Sequence, residues 1–110
     1  MWIYSVGWVL PLIILVILEA VADVFSKTWQ LRGGWWIAGL ALLTYLTANV
    51  FWLISLKNGA GLAKGAVLFS VFSAVVAVII GVIFYKENIT HIQLFGIILG
   101  ILSILFIFWE

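Results

Sequence analysis

Four apolar stretches, each about 20 residues long and set apart by short clusters of glycine and charge, limit this chain more than any other feature. The spacing predicts helices over 6–27, 35–56, 62–84 and 92–109, the first of them beginning as early as Trp2. Between them stand Gln30-Leu31-Arg32-Gly33-Gly34, then Lys57-Asn58-Gly59-Ala60-Gly61, then the run from Tyr85 to His91. Pro11 falls in the first stretch, where a proline is tolerated near a helix start and in membranes generally. No link is long enough for an extramembrane domain. The expected fold is therefore an all-α membrane protein with a single four-helix transmembrane domain over residues 1–110. Four helices are too few to enclose a solute path, so a dimer of four plus four helices is the expected working form.

Composition agrees with a lipid solvent. The chain is 67% hydrophobic and 8% charged. A soluble domain of this size needs a polar skin, which five basic and four acidic side chains cannot supply. Seven Trp residues suit the bilayer interface. Cysteine is absent, which excludes a disulfide framework, a thiolate metal site and a cysteine nucleophile. A net charge of +1 offers no basic patch for nucleic acid. The first stretch is not read as a signal peptide: it lacks a basic leader and carries Glu19 and Asp23 where cleavage would fall. Lys27, Arg32 and Lys86 lie on one side of the membrane, Lys57 and Lys64 on the other. The positive-inside rule makes the first group cytoplasmic and leaves both termini outside, on a margin of one or two charges, so insertion both ways stays open. A multi-pass protein of the cell's inner (plasma) membrane is expected.

Glu19 is the most informative side chain. On a helix over 6–27 it lies about 4 Å from the bilayer midplane. A carboxylate there costs roughly 3 kcal/mol on insertion scales unless it is neutral, paired or facing water. It reads as a proton or cation site, against the plainer reading of a carboxyl bonded to a neighbouring helix. Asp23 and Lys27 follow one and two turns later on the same face. Asp23 lies about 10 Å from the midplane and has two readings. Either it pairs with Lys27 near the interface, or it is a second acid beside Glu19 lining a polar cavity, where two carboxylates repel when both are ionised. Lys64, about 13 Å from the centre of its helix, either snorkels to the headgroups or, in an antiparallel dimer, meets the carboxylates of a second copy. Tyr45, Asn49 and Trp52 make a polar and aromatic face on the second span, suited equally to an organic cation and to ordinary interface anchoring. His91 is expected in a solvated turn.

Small residues mark two helices for close packing. Ala66, Ser70, Ala74, Ala77 and Gly81 form a stripe on the third, extended by Gly61 and Gly65, and Gly96 with Gly100 forms a GxxxG pair on the fourth. Packing within one chain and packing between two chains both fit. No glycine-rich phosphate loop, nucleophile–base arrangement or metal-ligand cluster is present, so no enzyme, cofactor or metal is expected.

At Glu19 the chain meets a family pattern. The run Glu19-Ala-Val-Ala-Asp-Val-Phe-Ser-Lys27, followed by Leu31-Arg32-Gly33, resembles the first helix and turn of the small multidrug resistance transporters. Ser55-Leu-Lys-Asn-Gly-Ala-Gly61-Leu-Ala63 resembles the turn into their third helix and that of the wider drug/metabolite transporter superfamily. Phe84-Tyr-Lys-Glu87 resembles the superfamily's turn before helix four. The resemblance implies a homodimer, commonly antiparallel, in which Glu19 of each subunit shares one site that binds protons and cationic substrate in alternation. It implies dimer packing through Gly96 and Gly100. The sequence departs from that family where Lys64 replaces a Tyr and Gly65-Ala66-Val67-Leu68-Phe69-Ser70 lacks the expected aromatic wall; Asp23 is an extra acid.

Together these features lead to a small membrane transporter exporting a small cationic metabolite or toxic amine in exchange for protons. Its partners are that solute, protons, the bilayer and a second copy of itself, with no nucleic acid. The substrate and proton ligands expected are Glu19, Asp23, Lys64, Asn49, Tyr45 and Trp52. Two other readings stand beside it: a subunit of a lipid-linked-sugar flippase, and a membrane scaffold that moves nothing.

Overall fold

The computed structural model describes residues 7–109. They form four helices, α1 (Val9–Arg32), α2 (Trp35–Lys57), α3 (Leu62–Ile83) and α4 (His91–Trp109), and no strand among the described residues. α1, α2 and α3 are long and apolar enough to cross a membrane; α4 is apolar and, at 19 residues, the shortest. The expected start of the first helix at residue 6 or earlier lies outside the described residues. Its end differs from expectation: α1 continues past Lys27 to Arg32. The charge at Lys27 does not stop the helix, because a long basic side chain can carry its ammonium to the interface without unwinding backbone. The backbone turns only where Gly33 and Gly34 take φ of 78° and 94°, a region that costs other residues a steric clash.

α1 and α2 form the most closely packed pair. α2 turns Ala41, Ala48 and Ser55, seven residues apart, toward α1, and all three are buried. Side chains this small let two helix backbones approach, which is how helices hold together where lipid is as apolar as they are. From α1 come Leu12, Leu15 and Ala22, and α3 adds Leu68 to the same core. Ser55 Oγ donates to the Trp8 carbonyl at 2.8 Å, tying the far end of the hairpin. This seam was not anticipated from the sequence, which drew attention to small residues on the third and fourth helices.

The α3–α4 hairpin is looser. α4 leans mainly on α3, and none of its described side chains is buried. Between the two helices runs an apolar groove of about 520 Å³ lined by Ser70, Ala74, Gly96 and Gly100 among others. Thr90 and Gln93 start α4 with a reciprocal cap: Gln93 N–H donates to Thr90 Oγ1 at 3.1 Å, and Thr90 N–H donates to Gln93 Oε1 at 3.0 Å. The whole is a slab of 49 × 35 × 18 Å, barely two helices thick.

Candidate functional site

Trp8, Leu12, Leu15 and Ala22 of α1 and its lead-in are buried and recur at helical spacing, so they define one inward stripe. Glu19 stands on that stripe, one turn beyond Leu15. Leu15 and Ala22 are 0% exposed, yet Glu19 between them is half-buried. The packing therefore opens at its level. Glu19 makes no hydrogen bond or ion pair with any described residue, and it lies in electrostatic range of Asp23 and Tyr45. Measured along α1 as it is built, it falls within about 3 Å of the helix middle. It is neither sealed by its own chain nor turned fully outward.

One turn nearer the Lys27 end, the Tyr45 hydroxyl donates to Asp23 Oδ1 at 2.7 Å. An ionised carboxylate only accepts, so the phenolic proton goes to Asp23 and the phenolic oxygen is left to receive. Ser26 Oγ lies 3.1 Å from that oxygen and 2.9 Å from the Ala22 carbonyl, and shares its proton between them. Asp23 is thus tied to α2, and the expected pair with Lys27 gives way to a different one. Lys27 Nζ reaches Glu87 Oε2 at 2.9 Å, in the connection between α3 and α4, and sits 5.7 Å from the centre of the Tyr85 ring. The intrahelical pair loses because Asp23 already has a short charge-assisted partner and Glu87 is delivered to the ammonium by the turn. With side-chain exposures of 24% and 49%, the Lys27–Glu87 pair contributes at most about 1 kcal/mol.

Lys27, Asp23 and Glu19 make a polar track down one face of α1, stepping one turn at a time from the membrane edge to mid-depth. Tyr45 joins this track. Asn49 does not: it is exposed and its Nδ2 donates back to the Tyr45 carbonyl at 2.9 Å. Trp52 turns to α3 instead, tilted against Phe69 with ring centres 6.1 Å apart and packed over Gly65. Lys64 is exposed at the opposite end of the slab, its Nζ 5.7 Å from the Trp8 ring, some 11 residues or about 16 Å along α1 from Glu19. A Cβ at Gly96 would meet nothing within 4 Å and one at Gly100 would meet Val71 Cγ1 of α3 at 3.6 Å, so the GxxxG pair faces the α3–α4 groove with only one ordinary contact across it. His91 is exposed, as the first residue of α4.

Two polar residues at the Lys27 end had no assigned role in the sequence. Ser26 was legible only as part of a family run, and Glu87 only as part of a turn. The spacing of Glu87 from the Gly81 backbone gives the signal, but it emerges only once the turn is folded.

A helical slab with an acidic track in its spans is what a solute carrier requires, and the wider comparison decides the class. The model of the EamA-like transporter family matches residues 1–109. The chain belongs to the EamA-like transporter family. As a family member it is a multi-pass membrane protein of the drug/metabolite transporter superfamily, a group of transporters of small solutes. No curated protein and no solved structure matches this EamA-like chain.

Proposed function

We propose that this EamA-like chain is one subunit of a homodimeric exporter that carries a small cationic metabolite or toxic amine across the inner (plasma) membrane in exchange for protons, in the manner of the small multidrug resistance branch. Glu19 from the two copies forms the shared site, and Asp23 and Tyr45 line its approach. The observation that carries this reading is Glu19 itself. It is half-exposed and unpartnered on a stripe otherwise closed, in the middle of a helix that lipid surrounds. A charge in that place is costly unless water, a proton or a cation attends it. A second copy laid against the slab supplies the missing wall, and the unfilled space around Gly96 supports α4 as the surface that meets it.

Asn49 and Trp52 act from the rim of the crevice, and Lys64 of an antiparallel partner approaches the depth of Asp23, competing with the substrate for the carboxylates. The test is uptake into proteoliposomes across guanidinium, quaternary amine and polyamine compounds, native chain against Glu19→Gln. Native protein releases protons when substrate is added and Glu19→Gln does not, with flux at least tenfold lower. Equal flux in both removes Glu19 from the mechanism.

One observation favours a second reading. The groove between α3 and α4 is open and lined almost wholly by apolar atoms, as contact with the tail of a lipid-linked sugar would require. That reading needs a second, different subunit, so transport of amines by the purified single chain eliminates it.

A further inference from the structure

The two hairpins are fastened at the Lys27 end by a contact that the transport roles above leave unused. Glu87 lies in the connection after α3, and its carboxylate is seated against bare backbone. A Cβ on Gly81 would stand 2.9 Å from Glu87 Oε1, so a larger residue there requires the carboxylate to shift. The Glu87 N–H closes onto the Gly81 carbonyl at 3.0 Å, and Lys86 takes φ 56° to make the turn. This local geometry aims Glu87 at α1, where Lys27 Nζ meets it at 2.9 Å and caps the Tyr85 ring. The pair lines an open cleft of about 150 Å³ together with Asp23, Ala77 and Ile80. It therefore stands at the rim of a cleft that reaches the polar track.

We propose that Lys27 and Glu87 form a gate. Closed, the pair joins the α1–α2 hairpin to the α3–α4 hairpin and narrows the cleft before Asp23. Open, it admits water and solute from that end. Both side chains are partly in water, which suits an ion pair that must break and re-form during each cycle. A buried pair would hold the hairpins together too firmly. Gly81 lets the carboxylate lie directly against the α3 backbone. This role rests on the transport reading for its purpose, but its geometry is tested without transport.

The chain has no cysteine, so a single reporter is unambiguous. Ala77→Cys lines the cleft, and Ala66→Cys lies toward the other end of α3. The measurement is the rate at which a membrane-impermeant charged maleimide labels each reporter in proteoliposomes. Glu87→Gln and Lys27→Gln each speed labelling at Ala77→Cys by about fivefold, the scale set by an exposed ion pair. Labelling at Ala66→Cys is unchanged. Exchanging the charges, Lys27→Glu with Glu87→Lys, restores slow labelling at Ala77→Cys. An unchanged rate in Glu87→Gln overturns the gate, and so does an exchanged pair that labels as fast as the single variants. Equal acceleration at both reporters also overturns it, since the pair would then be a general structural tie. A chain that gates as described yet carries no amine retires the transport reading and leaves the gate standing.

Discussion

The two hairpins are built from nearly the same residue types and behave differently. α1 and α2 meet along Ala41, Ala48 and Ser55 with Leu15 and Ala22 sealed between them, and three polar contacts cross or close the seam. α3 and α4 carry the more conspicuous glycines and small residues, yet a groove of about 520 Å³ runs between them and no described α4 side chain is buried. Small residues alone thus do not bring helices together; they permit an approach that something else must drive. In α1–α2 the drive is tight packing plus hydrogen bonds inside one chain. In α3–α4 the permissive surface is left open, available to a second molecule. One hairpin is closed within the chain, and the other leaves a groove unfilled.

The largest effect that would break this contrast is a truncation on each hairpin. Leu15→Ala removes a fully buried side chain and costs about 3 kcal/mol in reversible unfolding from mixed micelles. Leu99→Ala, half-exposed on α4, stays within about 0.5 kcal/mol of native. Equal losses would make the two hairpins alike. Next in size is Gly96→Ile. It changes the stability of the single chain by no more than about 0.5 kcal/mol, because its Cβ meets nothing within 4 Å and the α3–α4 groove has room for the rest, while self-association measured by energy transfer between labelled copies weakens by about 1–2 kcal/mol. Unchanged association removes α4 from the dimer surface. Smallest is Lys64→Ala, which loses only a contact with the Trp8 ring, worth about 0.5 kcal/mol at so exposed a place. Its value lies in transport: if substrate affinity and its pH dependence are both unmoved, Lys64 does not compete for the carboxylates.

The spans were readable because length and apolarity set them, and lipid makes no finer demand. The few polar residues of α2, α3 and α4 mark no dominant face, so hydropathy says little of which side turns inward. That is why the seam through Ala41, Ala48 and Ser55 was missed and the stripe through Ser70 and Ala74 overvalued. α1 is the exception, because its acids announce a face. Glu19 was identifiable as unusual from depth alone. The partner of Asp23 was not, since Tyr45 meets it only when α2 is turned by packing at Ala41 and Ala48. Lys27 illustrates the limit best. Its nearest acid in sequence is Asp23, and its partner is Glu87, brought in from a distant turn by the room at Gly81.

The extra length of α1 has a mechanical consequence. At 24 residues it is a rod of about 36 Å, against about 28 Å for α4, in a film whose oily layer is about 30 Å deep. The longer rod leans or emerges, and its surplus turn carries Trp29 beside Trp35, their rings 5.8 Å apart across the Gly33-Gly34 bend. Trp rings favour the headgroup level, and a pair there sets the draught of a hairpin. Lys27, just below that waterline, is thereby moored where a slight bob of the rod wets or dries its ammonium.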